Sequence, residues 1–322
     1  MATSGDHVKA LVRSHVQGDD AAFYAVALQV ASKEARQGHA RLAVEIKQLI
    51  DSARVDPVAR NVVSIAQPRG DLADLVTASF PSVGLKDLVT TTELAATLSQ
   101  VLQEQRQRAS LERSGFTPIH RILLEGPPGT GKTMTAAVLA HELGLPLLTV
   151  RLDSLMSKFL GETASKLRTL FEAIDEQRAV YLFDEFDALG ADRAGNDVGE
   201  ARRILNSFLV FLENSRSESL VLAATNHRSI LDRALFRRFD LVIGYELPTF
   251  DQALGVMKAR LGSLGRGLRW QSLAGHTEGL SHAELVKAVE SAAKKTLMRG
   301  EDKVVIGDLR EALDVRRTVS RG

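Results

Sequence analysis

Gly126-Pro127-Pro128-Gly129-Thr130-Gly131-Lys132-Thr133 follows the apolar run Ile122-Leu123-Leu124 and leads into a helix-like stretch from Met134 to Leu143. The octapeptide fits the pattern G-x-x-x-x-G-K-[ST] in the context that pattern requires, a strand before and a helix after. Glycines let the main chain curl with its N–H groups turned inward, and a helix N-terminus adds the positive end of a dipole. Lys132 is then placed to neutralise the terminal phosphates of a nucleotide, and the Thr133 hydroxyl to coordinate Mg²⁺. Gly126 through Met134 are therefore the candidate phosphate-cradling residues. The competing reading, a glycine-rich surface turn beside an incidental lysine, leaves the flanking strand and helix unexplained.

Working outward, Val180-Tyr181-Leu182-Phe183 runs into Asp184-Glu185, two carboxylates at the end of an apolar strand. Ligands of open α/β sheets bind at that carboxyl edge. Acidic residues ending a strand are often mere caps, but downstream of a phosphate loop the pair reads as catalytic. Asp184 would hold Mg²⁺ directly or through water, and Glu185 would orient and deprotonate the attacking water. Leu147 to Val150, Leu220 to Ala224 and Leu241 to Ile243 are further apolar runs separated by helix-length segments. Continuous apolar strands alternating with helices predict an α/β fold with a parallel sheet covered on both faces. After Pro248 the pattern is all-helical, with Leu285, Val289, Ala292 and Ala293 on one face and a further helix near Ile306 to Val315.

Upstream, Phe23, Val26, Ala27 and Val30, then Leu42, Ile46, Leu49 and Ile50, recur at helical spacing, and breaks at Gly18-Asp19-Asp20 and Gln37-Gly38 point to three short helices. Pro57, Pro68, Gly70, Pro81 and Gly84 mark a linker, with a short helix around Leu72 to Ser79. The expected organisation is an N-terminal helical substrate- or adaptor-binding domain (1–56), a linker (57–84), a large α/β domain (85–247) and a helical lid (248–322).

Composition narrows the functions open to this chain. Its 322 residues, 44% hydrophobic and 25% charged, match an ordinary globular protein of about two domains. Forty-one Lys+Arg against 40 Asp+Glu leave a formal charge of +1, so no cationic excess collects nucleic acid or anionic membrane. The absence of cysteine excludes disulfides, thiolate metal sites and Cys nucleophiles. No apolar run approaches the roughly 20 residues that span a bilayer, and the first twenty residues carry no signal-peptide pattern. A cytoplasmic location is expected. His7, His15 and His39 form no obvious metal set, and no H-E-x-x-H occurs.

Taken in order, these motifs resemble the AAA branch of the AAA+ ATPases over roughly Leu85 to Val315. Gly126 to Thr133 is similar to Walker A, and Phe183-Asp184-Glu185-Phe186-Asp187 to Walker B. Ala223-Ala224-Thr225-Asn226 resembles sensor 1, which implies that Asn226 positions the lytic water beside Glu185. Leu231 to Asp240 resembles the arginine-finger segment. The family spaces its two arginines by Pro-Gly whereas Arg237 and Arg238 are adjacent, so either is a candidate for the neighbouring subunit's γ-phosphate. Gly279-Leu280-Ser281-His282-Ala283-Glu284 resembles the lid signature Gly-x-Ser-Gly-Ala-Asp, with His282 where glycine is usual. The resemblance implies that His282 and Ala283, with the main chain around Leu88 and Val89, lie against adenine and ribose.

Ser157-Lys158-Phe159-Leu160-Gly161-Glu162 resembles the family's pore loop. In a hexameric ring Lys158, Phe159 and Leu160 would grip a polypeptide, the aromatic ring supplying large apolar area at low entropic cost. Arg193 and Arg203 resemble subunit-interface or pore-lining positions. The resemblance thus implies an ATP- and Mg²⁺-dependent homo-hexameric motor that threads and unfolds proteins. The layout is also similar to bacterial ATPases encoded beside subtilisin-like serine proteases, which implies a partner protease, or else an adaptor. Two rivals stand beside this: a nucleic-acid motor of clamp-loader or helicase type, disfavoured by the neutral charge, and an ATP-gated scaffold with little turnover, disfavoured by the intact Lys132, Asp184, Glu185 and Asn226.

Overall fold

The computed structural model describes residues 71–155, 160–189, 198–226 and 233–320, with scattered positions between 26 and 44. Residues 1–66 and 67–322 are separate compact units. In the first, residues 26–31 are helical, with Ala27 and Ala31 buried one turn apart. Leu42, expected on an apolar face, is instead 45% exposed.

The second unit opens with α1 (Asp71–Leu75), which passes directly into β1 (Val76–Ser79). Next come α2 (Thr92–Arg106), α3 (Arg108–Arg113), β2 (Arg121–Glu125), α4 (Lys132–Leu143), β3 (Leu147–Val150), α5 (Leu152–Leu155) and α6 (Leu160–Glu176). The alternation continues through β4 (Val180–Phe183), α7 (Val198–Asn214), β5 (Leu220–Thr225), α8 (Arg233–Phe236) and β6 (Leu241–Gly244). The remainder is helical: α9 (Phe250–Leu261), α10 (Ala274–Thr277), α11 (His282–Met298) and α12 (Ile306–Ser320).

The five strands read from the sequence form the parallel part of a six-stranded sheet in the order β1-β3-β4-β5-β2-β6. β1 departs from expectation. The stretch read as a linker with a helix over 72–79 holds a helix of only five residues and then a strand, antiparallel to β3 with Val76 opposite Val150 and Ser79 opposite Leu147. An edge strand with unpaired main-chain groups invites foreign pairing, and β1 covers that edge of β3.

Side chains of successive strand residues face opposite sides. Leu123, Leu148, Tyr181, Phe183, Val221 and Ala223 therefore pack under α6 and α7 with Leu170, Phe171 and Phe208. Ile122, Leu124, Val180, Leu182, Leu222 and Ala224 pack on the other face against Leu98, Val101 and Leu102 of α2 and Leu139 of α4. The C-terminal helices have a core of their own, in which Val256, Met257, Leu285, Val289, Ala292, Leu309 and Leu313 meet. Ala293, expected on the same face, is partly buried against it.

Candidate active site

Sheet order places the chemistry. β5 lies between β4 and β2, with Thr225 in register with Glu125 and Ala223 with Phe183. The turns that leave all three strands, beginning at Gly126, Asp184 and Asn226, thus emerge side by side at one edge. This convergence at the carboxyl ends of parallel strands is the general ligand position of α/β sheets.

The loop after β2 fits only where its glycines stand. At Gly126 (φ 141°) a Cβ would lie 2.3 Å from the Tyr245 carbonyl oxygen. At Gly129 (φ 74°) it would lie 2.7 Å from Ser281 Oγ and 2.9 Å from Ala283 Cβ. Both positions combine a left-handed or mirror-region backbone with close approach of another segment, so both exclude a side chain. The Gly129 approach is to the N-terminus of α11, whose Ala283 N–H donates to the Gly129 carbonyl at 3.0 Å. Ser281 caps α11 and is held in turn by Glu284 in a reciprocal capping box.

Lys132, the first residue of α4, is buried, and its Nζ donates to Gly126 O (2.7 Å), Pro127 O (2.8 Å) and Asn226 Oδ1 (2.9 Å). Burial lowers its pKa below the ordinary lysine value, and the charges of Asp184 and Asp187 offset only part of that shift. Thr133 Oγ1 donates to Asp184 Oδ2 at 2.7 Å. Asp184 Oδ1 accepts from the N–H of Glu185 at 2.9 Å. Glu185 is exposed and has a φ of 51°, the one positive value on a non-glycine among the described residues. A strained backbone that aims a carboxylate outward is typical of functional sites.

The structure thus joins Lys132 to Asn226 and Thr133 to Asp184 directly, and it sets Glu185 beside Asp184. Leu88 lies across from Gly131, 3.8 Å from where a Cβ would stand. Val89 packs on the C-terminal core, and its main chain is close enough to His282 to favour the protonated ring. Leu88, Val89, His282 and Ala283 are therefore gathered around the loop. Pro128 is exposed, while Thr130 Oγ1 closes the loop on Pro127 O at 2.8 Å. Met134 is part-buried on the first turn of α4.

Arg237 is exposed and makes no hydrogen bond or ion pair among the described residues. Arg238 Nε pairs with Glu213 Oε1 of α7 at 2.7 Å. The segment carrying both arginines is pinned to β2: Asp240 accepts from the N–H groups of His120 (3.1 Å) and Arg121 (2.9 Å) and from the Arg121 guanidinium (2.7 Å). Burial raises the Asp240 pKa, but these hydrogen bonds together bring it below its ordinary value. Lys158, Phe159 and Arg193 lie outside the described residues. Leu160 opens α6, and Arg203 is exposed on α7.

Three participants escaped the sequence reading. Asp187 Oδ1 accepts from Thr225 Oγ1 (3.0 Å) and from the N–H of Asn226 (3.2 Å), tying the turn after β4 to the end of β5. Tyr245 Oη is 2.5 Å from Thr135 Oγ1, and burial drives the Tyr245 pKa up to about 12. Glu213 holds Arg238. Each acts on a residue distant in the chain, and no local spacing announces it. Asp187 alone had a signal, as the last residue of the quoted acidic motif.

Residues 122–247 match the family described as "ATPase family associated with various cellular activities (AAA)". The AAA family ATPase y4kL of Sinorhizobium fredii is 31% identical over 312 residues, covering 96% of this chain and 94% of that protein. This chain belongs to the AAA ATPases. The proteasome-activating nucleotidase of Pyrococcus furiosus is 31% identical over 85% of this chain and 74% of its own length. ATP-dependent zinc metalloprotease FtsH 3 of Sphaerobacter thermophilus is 33% identical over 75% of this chain. The match spans only 51% of that metalloprotease. As an AAA ATPase, the chain binds and hydrolyses ATP. Among its described residues, no helix is long and apolar enough to cross a membrane.

Proposed function

We propose that this AAA ATPase is a cytoplasmic ring motor, a homo-hexamer that uses ATP to pull on protein substrates through a central pore lined by Lys158, Phe159 and Leu160. Lys132 and the loop from Gly126 to Met134 bind the phosphates. Thr133 and Asp184 offer hard oxygen donors already 2.7 Å apart, a set suited to Mg²⁺, which takes one or two protein oxygens and completes its shell with water and phosphate. Bound there, Mg²⁺ would neutralise charge developing on the phosphates. Glu185 polarises the attacking water, and Asn226 orients it. Arg237, supplied by the adjacent protomer, stabilises the transferred phosphoryl group. Arg238 stays with Glu213 and fixes the segment from which Arg237 projects.

The observation that carries this reading is the pairing pattern at the sheet edge. Lys132 is engaged with Asn226 and with the loop, and Thr133 with Asp184, whereas Arg237 has no partner among the described residues of its own chain and stands on a segment anchored by Asp240. A site furnished with everything except its second cation fits completion in trans, where such a guanidinium contributes about a thousandfold or more. Protein remodelling follows from the likeness to the proteasome-activating nucleotidase and FtsH rather than from the site.

Glu185→Gln provides the test. The variant should bind ATP, hydrolyse it at least a hundredfold more slowly, and accumulate as rings holding a threaded polypeptide when imaged as particles. Wild-type turnover in this variant would overturn the role of Glu185. Assemblies that hold DNA instead of protein would favour the nucleic-acid alternative.

A further inference from the structure

Asp187 stands two residues beyond Glu185, in the short 3₁₀ turn Phe186–Leu189 that follows β4. Phe186 and Leu189 stake that turn into the core under α6 and α7, with the Phe186 ring 4.8 Å from that of Phe208. The Ala188 N–H donates to the Glu185 carbonyl at 2.8 Å, so the turn closes on Glu185, whose φ is 51°. The ladder between β4 and β5 ends with Phe183 opposite Ala223. Glu185 and Asn226 both lie beyond that last pair, on two separate ends of chain.

The Asp187 side chain continues the connection where the ladder stops. An aspartate in a turn ordinarily bonds to its own main chain two residues on. Asp187 Oδ1 instead accepts from residues 38 and 39 positions away, the Thr225 hydroxyl at 3.0 Å and the Asn226 N–H at 3.2 Å. Those two residues are tied in turn to the phosphate loop. The Thr225 carbonyl accepts from the Gly126 N–H at 3.3 Å, and Asn226 Oδ1 from Lys132 Nζ at 2.9 Å. Thr225 is fully buried, so a bond to its hydroxyl satisfies a buried donor and is explained by stability alone. The bond to Asn226 does something different: it fixes the peptide unit from which the amide side chain projects.

We infer that Asp187 is a positioning residue for ATP hydrolysis: by holding the Asn226 main chain to the turn that bears Glu185, it sets the spacing between the amide and the carboxylate that act on the attacking water. The inference rests on the roles proposed above for Glu185 and Asn226. One carboxylate oxygen spans the two chain ends, so a shift of either would break a bond to the other. Such spacing matters to rate more than to binding, because a misplacement of about 1 Å can cost about a hundredfold. Asp187 touches neither the reacting atoms nor the phosphates in this scheme and acts through Asn226. Its charge has a separate effect, since with Asp184 it offsets part of the influence of burial on Lys132. Asparagine separates the two, for it keeps an oxygen acceptor and loses the charge.

The experiment measures steady-state ATPase, binding of a fluorescent ATP analogue and melting temperature for the full-length chain. The variants are Asp187→Ala, Asp187→Asn, Asn226→Ala and the double variant Asp187→Ala with Asn226→Ala. Asp187→Ala should lower kcat by about tenfold to a hundredfold, while KM does not rise and the analogue still binds. Asp187→Asn should retain most of kcat. The double variant should be about as slow as Asn226→Ala alone, since residues that act as a unit are not additive. Strict additivity overturns the assignment, because Asp187 would then act independently of Asn226. Asp187→Asn as slow as Asp187→Ala also overturns it, assigning the effect to charge. A lowered melting temperature and weakened binding with kcat intact would mark Asp187 as a structural staple of the turn. An impaired Asn226→Ala beside an unimpaired Asp187→Ala removes the inference alone. Wild-type kcat in Asn226→Ala removes the proposed role of Asn226 and the inference together.

Discussion

Gly129 sits where two demands meet. Its φ of 74° suits glycine, and its missing side chain admits Ser281 and Ala283 of α11. Alanine would add backbone strain of about 1–3 kcal/mol and would push α11 off the loop, breaking the contact from the Ala283 N–H. Gly129→Ala should therefore weaken ATP binding by about tenfold or more, which equilibrium titration of a fluorescent analogue measures. An unaltered affinity would show that the seam yields without cost. Tyr245 acts more gently. Removing its hydroxyl leaves Thr135 Oγ1 its bond to the Gly131 carbonyl at 3.1 Å, so no buried donor is stranded. Tyr245→Phe should cost about 1 kcal/mol and lower the melting temperature by roughly 2–4 °C. Lys132, Thr133 and Asp184 were legible in the sequence because a phosphate loop and a strand-end carboxylate are local patterns. Tyr245, Thr135 and Glu213 were not, since what makes each matter is a partner brought near by the sheet.

The same division between local and distant causes governs the elements. The five parallel strands were legible because each is a mostly apolar run; β4 and β5 at the centre are buried throughout, whereas β6 at the edge leaves Val242 exposed. β1 was not: Val76-Thr77-Ala78-Ser79 is short and only half apolar, and it is a strand because β3 offers it an edge. Its anchor is Leu75, which is buried and whose carbonyl accepts from the Arg151 N–H at 2.8 Å. Leu75→Ala should destabilise the unit by about 2–4 kcal/mol, within the range for emptied core sites, and hydrogen exchange should open first along β3. Equal protection of β3 in mutant and wild type would mean that β1 merely decorates the sheet. Among the C-terminal helices, Asp308 at the start of α12 draws together Lys295 of α11 and Arg299, which caps the C-terminus of that helix. The hydrogen bonds from Arg299 and then Lys295 hold the Asp308 carboxyl at about 2, below its ordinary 3.8. A carboxylate with a depressed folded pKa stabilises above its unfolded value and loses that contribution as pH falls through the folded one. Asp308→Asn should accordingly lower the melting temperature at pH 7, and its gap from wild type should close between about pH 4 and pH 2. A gap independent of pH would assign the effect to packing.

For the whole molecule, the decisive matter is whether one chain completes its own site. Arg237 is exposed and unpaired among the described residues, while Arg238 is occupied by Glu213 at 2.7 Å. A head-to-tail interface, repeated around a closed ring, gives every loop one neighbouring arginine. Two inactive variants should then repair each other. Arg237→Ala keeps a competent loop but lends no cation, and Glu185→Gln lends the cation but has a disabled loop. In an equal, randomly assembled mixture, about one interface in four joins a good loop to a good arginine, as follows from a heterologous contact in which each protomer contributes a different face. ATPase activity should return to about a quarter of the wild-type rate and should fall on dilution below the assembly concentration. Arg238→Ala should behave differently, because a positioning residue disturbs the segment in its own chain. Reversing the ion pair, Arg238→Glu with Glu213→Arg, should restore much of the activity lost by either change alone. If the mixed inactive variants stay silent at every ratio although they co-assemble, the cation does not come from Arg237 of a neighbour. If the reversed pair is as impaired as Arg238→Ala, Arg238 itself reaches the phosphate.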